Sequence, residues 1–216
     1  MTQQILDEAN QALQQGRLEQ AETLLRGAVK ADPQSVTSHV ALATVLTARK
    51  QHGAAAESYA NAMRIDRNRK GLAVAYAVAC YHAGRYEEAE KSARFAVQAE
   101  PSLAAYDALA CALREQGKTA DALAAIEGAL RLTPTSNSAQ NTKGSILLAM
   151  GRNAEALAIF EDLNRRGVQA VAITLNRGAA LEKLGKVEQA QRLYSEAVAR
   201  WPHFAERQRQ RAQRRH

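Results

Sequence analysis

Cysteine, proline and aromatic residues are scarce in this sequence. Two of its 216 residues are cysteine, four are proline and 5% are aromatic. Cys80 and Cys111 stand in no CxxC or Cys/His metal spacing, so we predict two buried free thiols. No β-branched or aromatic run alternates with period two, which argues against strands. Alanine, leucine, glutamate, glutamine and arginine are common instead, and this composition predicts an all-α protein.

Segments that would direct the chain into or across a membrane are also missing. Residues 1–16 contain no basic stretch followed by an apolar core, so they do not form a secretory signal. The longest run of small apolar residues, 71–81, is far shorter than the roughly 20 residues that a spanning helix needs. We therefore predict a cytoplasmic protein without membrane insertion.

Positive charge is concentrated at the C-terminus. The formal net charge is +7, and residues 205–216 hold five arginines against one glutamate. This basic tail could bind an acidic partner or the phosphates of a nucleic acid. It contains no aromatic residues that would stack on bases, so nucleic acid is the less favoured ligand. The five arginines are Arg207, Arg209, Arg211, Arg214 and Arg215.

Small residues recur with a period of 34 residues, with one unit of 33. The first small position holds Ala21, Ala55, Ala89, Ala122, Ala156 and Ala190. The second follows seven residues later, at Ala28, Ala62, Ala96, Ala129 and Ala197, with Leu163 as the exception. The four prolines, Pro33, Pro101, Pro134 and Pro202, each stand five residues further on.

This pattern resembles the tetratricopeptide repeat family, whose unit is a helix–turn–helix of 34 residues. The resemblance implies a right-handed superhelical solenoid of six repeats and about twelve helices, with the first helix of each repeat on the concave face. The repeats would span approximately 2–35, 36–69, 70–102, 103–136, 137–170 and 171–204. Residues 205–216 would follow as a basic tail or a partial capping helix.

Glycine and proline mark where the helices should end. A glycine in the left-handed region suits the turn inside each repeat, and Gly84 is one example. The second repeat has Lys50 at this position, so we expect a longer or frayed turn there. The fifth repeat lacks the proline, and we expect Gly167 to end its second helix.

A search for catalytic and cofactor motifs yields none. Each glycine that recurs with the 34-residue period stands at an expected helix turn, and no phosphate-binding loop is present. The histidines are scattered without metal-ligand spacing, and no nucleophile elbow occurs. We predict no catalytic residue, no metal and no cofactor within this chain, which leaves recognition of a partner.

The family resemblance also implies where a ligand would bind. Family ligands are extended peptides or helices that touch fixed positions on the first helices, and the apolar middle of this groove favours aliphatic or aromatic side chains. Polar side chains such as Asn141 and Asn176 could hold a peptide backbone, or some of these residues could pack between neighbouring helices. The two-carboxylate clamp of chaperone-binding members is not reproduced. The predicted groove residues are Asn10, Thr44, Val74, Val78, Tyr81, Asp107, Cys111, Asn141, Ser145 and Asn176.

Three functions remain open from the sequence. The first is a non-catalytic scaffold that binds a partner peptide or helix in the groove. The second is a substrate-recruiting N-terminal domain of a larger bacterial enzyme of sulfotransferase, glycosyltransferase or iron-dependent oxygenase type. The third is binding of an acidic partner or nucleic acid through the arginine tail. A weakly covered last helix also leaves room for a homodimer through the C-terminal end.

The junction between the second and third repeats is unusually basic. Arg64, Arg67, Arg69 and Lys70 surround a single acid, Asp66. Such a run is either a solvated loop between repeats or a partner-binding edge.

Overall fold

The computed structural model describes residues 2–202, and these residues form twelve α-helices and no strand. Each predicted repeat contains two of them, so the all-α prediction and its helix count are confirmed. The helices are α1 (Thr2–Gln14), α2 (Leu18–Ala31), α3 (Val36–Ala48), α4 (His52–Ile65), α5 (Leu72–His82), α6 (Tyr86–Ala99), α7 (Leu103–Glu115), α8 (Thr119–Leu132), α9 (Asn137–Ala149), α10 (Asn153–Arg165), α11 (Val171–Lys183) and α12 (Val187–Arg200).

The turn in the second repeat has the same geometry as the glycine turns, so the expectation of a longer or frayed turn is wrong. Gly84 closes the third repeat's turn with φ of 77°, and the Arg85 amide donates to the Cys80 carbonyl at 2.9 Å. Lys50 takes the same left-handed conformation with φ of 61°, and the Gln51 amide donates to Leu46 at 2.9 Å. A non-glycine residue thus forms the same hydrogen-bonded turn, in a conformation that glycine adopts at little steric cost.

Serine begins three of the first helices, a feature that the prediction missed. The side chains of Ser35, Ser102 and Ser136 each accept a hydrogen bond from the backbone amide three residues later. This is the ordinary N-cap contact, which satisfies one of the free amides of a helix start. The prolines Pro33 and Pro101 lie in the loops before these caps, two residues after the preceding helix. A serine one or two residues after each of these prolines could have revealed the caps.

The fifth repeat ends as its glycine indicated. Gly167 has φ of 76°, and the Val168 amide donates to the Leu163 carbonyl at 3.0 Å. This left-handed glycine stops α10 after Arg165 in the absence of proline. The Arg166 side chain then donates to Asn137 at 2.6 Å and so ties this end of α10 to the start of α9.

The chain divides into two compact units, Met1–Gly117 and Lys118–His216. In the first unit, a core centred on Leu42, Leu46 and Cys80 holds the helices together. In the second, the core is built around Phe160 and Leu163, both fully buried. The alanines at the first small position are all buried, with at most 1% of each exposed, so close helix packing at that phase is confirmed.

Candidate functional site

In the first unit, one face of α5 carries three of the predicted groove residues. Val74, Val78 and Tyr81 follow one another at spacings of four and three, so they share a side of the helix. Val74 and Tyr81 are half-buried, whereas 37% of Val78 is exposed. These side chains form a partly exposed apolar surface with a hydroxyl at its end.

The neighbouring face of α7 adds charge to this surface. Arg114 Nη2 donates a hydrogen bond to the Tyr81 hydroxyl at 3.1 Å and pairs with Glu115 at 2.6 Å. The Tyr81 hydroxyl donates in turn to Glu115 at 3.4 Å. Asp107 and Cys111 lie half-buried on the same side of α7 as Arg114. Arg114 is absent from the ten predicted groove residues, although its repeat position places it among the ligand-facing residues of α7, three residues after Cys111.

Electrostatics keep Tyr81 neutral and Arg114 charged. Burial raises the pKa of Tyr81 to about 12, although the charge of Arg114 acts in the opposite direction. Burial disfavours the charged form of Arg114, but its bond to Glu115 and its attraction to Cys111, Tyr81 and Glu115 together outweigh this, and the pKa of Arg114 lies above its ordinary value. Tyr81 and Arg114 thus offer a ligand a neutral hydroxyl and a guanidinium that is already paired with Glu115.

Cys111 is only half-buried, so the prediction of two buried thiols holds for Cys80 alone. The reason is the direction of α7, whose core side is taken by Ala105, Ala112 and Leu113. Cys111 therefore lies on the partly exposed face of α7, together with Asp107 and Arg114. Neither cysteine forms a disulfide.

Asn10 and Thr44 lie exposed on α1 and α3. The Thr44 hydroxyl donates its single proton to the Val40 carbonyl within the same helix, at 2.9 Å. The Tyr59 hydroxyl lies 3.5 Å from the Thr44 hydroxyl oxygen, so Thr44 has at most acceptor capacity left for a ligand and cannot donate to a peptide carbonyl.

In the second unit, three predicted residues form one hydrogen-bonded cluster. Asn176 of α11 donates through Nδ2 to Asn141 Oδ1 at 3.2 Å and to Ser145 Oγ at 3.0 Å, both on α9. Ser145 donates to the Asn141 backbone carbonyl at 3.0 Å. All three side chains are half-buried. We call Asn141, Ser145 and Asn176 the amide cluster.

The amide cluster keeps unused hydrogen-bonding capacity. The Asn141 amide nitrogen and the Asn176 amide oxygen have no hydrogen-bond partner among the described residues 2–202. One is a donor and the other an acceptor, as in a peptide group. The bonds between the three residues hold both amides in fixed orientations, which lowers the entropy lost when a ligand binds.

The five arginines of the basic tail lie outside the described residues. Binding through the arginine tail therefore stays a prediction. The other untested expectations also stay predictions: the larger-enzyme domain, the C-terminal homodimer and the cytoplasmic location. Within residues 2–202, no helix is long and apolar enough to span a membrane. In the same range, no three or more His, Cys, Asp or Glu side chains are grouped to hold a metal ion.

Comparison with known proteins points to one family. Two models of the tetratricopeptide repeat match the sequence, one over residues 6–71 and 108–167 and the other over residues 71–94. Together they account for more than half of the chain. No curated protein sequence gives a significant match.

Several solved structures share the fold. The Pseudomonas aeruginosa pilF protein is 24% identical, with a TM-score of 0.70 over 98% of this chain and 97% of that one. A tetratricopeptide repeat protein from Parabacteroides merdae is 15% identical, with a TM-score of 0.79 over 92% of this chain and 78% of that one. YrrB, described as a repeat protein with an unusual peptide-binding site, is 18% identical, with a TM-score of 0.57 over 82% of this chain and 92% of that one.

Proposed function

Because the chain belongs to the tetratricopeptide repeat family, we propose that it is a non-catalytic scaffold that binds a peptide or helix of a protein partner. The binding surface is formed by exposed faces of the first helices. Stacked repeats of this kind bury a continuous core and leave a long row of helix faces to solvent.

The observation that carries this proposal is the amide cluster on α9 and α11. Asn141 and Asn176 hold each other through one bond at 3.2 Å, and each still offers one group to a ligand. A donor and an acceptor side by side can satisfy the carbonyl and the amide of an extended backbone. Such bonds recognise a peptide independently of its side chains.

The surface of α5 and α7 supports side-chain recognition in the first unit. Val78 offers exposed apolar area, and Tyr81 and Arg114 stand next to each other at 3.1 Å. Tyrosine and arginine are the residues that most often dominate the energy of protein interfaces. An aliphatic or aromatic side chain of the partner would pack on Val78 beside Tyr81.

The test starts from a peptide found with the protein itself. A phage-displayed library of random peptides is selected against the full chain, and the tightest peptide is measured by isothermal titration calorimetry. The variant Asn141→Ala/Asn176→Ala should bind it about tenfold to a hundredfold more weakly, since two hydrogen bonds are lost. Its far-UV circular dichroism should match that of the wild type.

The matched control is Asn61→Ala/Asn164→Ala, which removes two asparagines from the second helices α4 and α10. This control should bind the peptide with unchanged affinity. Equal affinity of the wild type and of Asn141→Ala/Asn176→Ala would remove the amide cluster as the ligand site, and a library that yields no peptide would count against peptide binding altogether.

A further inference from the structure

A cleft of about 660 Å³ opens in the first unit, at the N-terminal end of α5. Its walls come from the loop before α5, the C-terminal end of α6 and the start of α7. Tyr81 lies near the opposite end of α5, about 12 Å away along a helix that rises 1.5 Å per residue. We call this the basic cleft.

The third repeat has alanine in the lining of the basic cleft, at a position where the neighbouring repeats have larger side chains. Ala73 is the fourth residue of its repeat, and the fourth residues of the second and fourth repeats are His39 and Tyr106. His39 is buried and donates to the Pro33 carbonyl at 3.1 Å, so it fills its junction. Ala73 forms a small buried cluster with Ala96 and Ala105, and the larger side chains of Met63, Val74, Phe95 and Val97 pack against this cluster. The basic cleft opens beside this cluster, and Ala73, Val74, Phe95 and Ala96 belong to both.

The floor of the basic cleft is apolar and the rim is cationic. Ala73, Val74 and Ala96 form part of the floor, and Ala99 is an exposed part of its wall. Arg67, Arg69 and Lys70 line the rim from the loop before α5. Arg67 stacks on the Phe95 ring with its guanidinium carbon 4.6 Å from the ring centre.

The acids near the rim leave its cations available. Glu100 also lines the cleft and pairs with Lys70 at 2.8 Å, but the two side chains are 51% and 84% exposed, and such surface pairs contribute little to stability. Asp66 accepts a bond from the Asn68 amide at 3.1 Å and so shapes the loop. Among residues 2–202, the Arg69 side chain makes one long hydrogen bond, 3.4 Å, to the Thr37 hydroxyl.

We propose that the basic cleft binds an acidic segment of a partner protein. One apolar side chain of the segment enters the cleft and packs on Ala73, Val74 and Ala99. Carboxylates on either side of it pair with Arg69 and Lys70, which places opposite charges across the interface. This interaction goes beyond the proposed binding at the amide cluster, and only Val74 is shared with the predicted groove.

A peptide suits this cleft better than a nucleic acid does. Single-stranded nucleic acids bind through bases stacked on open aromatic rings. Phe95 is the aromatic residue in the cleft wall, and Arg67 already covers its ring. The remaining floor is aliphatic and matches an apolar side chain.

The test uses a fluorescein-labelled nonapeptide with a central leucine and alternating glutamates and aspartates on both sides. Its fluorescence anisotropy should rise to saturation with the full-length protein. The variants Arg69→Glu/Lys70→Glu and Ala99→Glu should each weaken binding by about tenfold or more, because each places a carboxylate opposite the peptide's own carboxylates. A peptide with serine in place of leucine should bind more weakly.

Two controls have the same charge changes elsewhere. Ala31→Glu changes the alanine that ends α2, as Ala99 ends α6, and Lys30→Glu/Arg131→Glu reverses two exposed cations on α2 and α8. Both should bind the leucine peptide as the wild type does. The proposal would be overturned if the leucine peptide showed no saturable binding, or if the controls lost as much affinity as the cleft variants. It would also be overturned if the serine peptide bound equally well, or if a labelled oligothymidine bound more tightly. None of these variants touches the amide cluster, so this test and that of the proposed function fail independently.

Discussion

Gly144 of α9 faces the ring of Phe160 of α10 so closely that a Cβ atom on residue 144 would lie 2.6 Å from two of the ring carbons. Phe160 is fully buried, so its ring has no room to move away. The sixth repeat has the same arrangement, with Gly178 facing Tyr194 at 2.5 Å. In these repeats, a glycine in the first helix makes room for an aromatic ring in the second.

The variant Gly144→Ala should therefore lower the free energy of unfolding by about 1–3 kcal/mol, since the added methyl overpacks the core. This loss should appear although alanine favours helices over glycine by about 1 kcal/mol. Urea denaturation followed by circular dichroism measures the change. The first repeat has Ala9 and Leu25 at the positions that correspond to residues 144 and 160. Adding Phe160→Leu to Gly144→Ala recreates this combination and should recover part of the lost stability.

The control for this prediction is Gly27→Ala in α2, where a Cβ atom would have nothing within 4 Å. It should raise the free energy of unfolding by about 0.5–1 kcal/mol through helix propensity alone. If Gly144→Ala were as stable as Gly27→Ala, the close approach to Phe160 would not limit residue 144.

Lys50 should be a site of backbone strain. Its φ of 61° lies in the region that costs a non-glycine residue about 1 kcal/mol. Lys50→Gly should raise the free energy of unfolding by about 0.5–1 kcal/mol, and the reverse change Gly84→Lys should lower it by about 1–2 kcal/mol. Chemical denaturation of both variants checks this.

The matched control is Lys91→Gly, which makes the same replacement inside α6. It should destabilise by about 1 kcal/mol, as glycine does in a helix interior. Destabilisation by Lys50→Gly of the same size would mean that the left-handed turn carries no strain.

Glu22 should make the protein sensitive to acid. Glu22 is buried on α2 and accepts hydrogen bonds from Arg26 and from Arg49, which caps the end of α3. Burial alone would raise the pKa of Glu22, but the two arginines outweigh it, and the pKa lies below its ordinary value. A lowered folded-state pKa contributes stability above the unfolded pKa, and this stability is lost as pH falls through the folded pKa.

The variant Glu22→Gln lacks this contribution. Its stability deficit relative to the wild type should be largest at neutral pH and should shrink as the pH falls to about 3. Urea denaturation at several pH values measures the difference. Glu57→Gln, at an exposed position on α4, serves as the control and should show a small deficit at neutral pH. A deficit for Glu22→Gln that stays constant with pH would contradict the prediction.

His82 should titrate below an ordinary histidine. Burial lowers the pKa of His82, and so does the charge of His52, whose ring centre is 5.0 Å away. Removing that neighbour with His52→Gln should raise the pKa of His82, as measured by an NMR titration. His39→Gln, in another repeat junction, should leave the pKa of His82 unchanged. An unshifted pKa in His52→Gln would show that burial alone acts.

The pKa of His82 also has a consequence for stability. Because the folded-state pKa is lowered, the stabilising contribution is present above the unfolded pKa of about 6.5 and is lost as pH falls below it. His52→Gln should reduce the loss of stability at low pH, because it should bring the pKa of His82 closer to the unfolded value.

Part of the candidate site could be predicted from sequence, because repeat phase says which residues of each first helix share a face. The position of Asn141, Ser145 and Asn176 within their repeats was enough to predict that each lies on this face. It could not predict that Asn176 donates to both of the others, since this depends on how α9 lies against α11. It also gave no sign that the Thr44 proton is used within α3 or that Arg114 reaches Tyr81.

The sequence by itself determined the period, the two helices of each repeat and the buried alanines, because these follow from local preferences and from small residues at close helix contacts. Only the tertiary structure decided how single positions depart from the period. Lys50 takes a conformation typical of glycine, and Gly144 is matched to Phe160 across two helices. The loop before α5, the end of α6 and the start of α7 come together around the basic cleft. Such contacts join residues that are distant in sequence, so no local pattern encodes them.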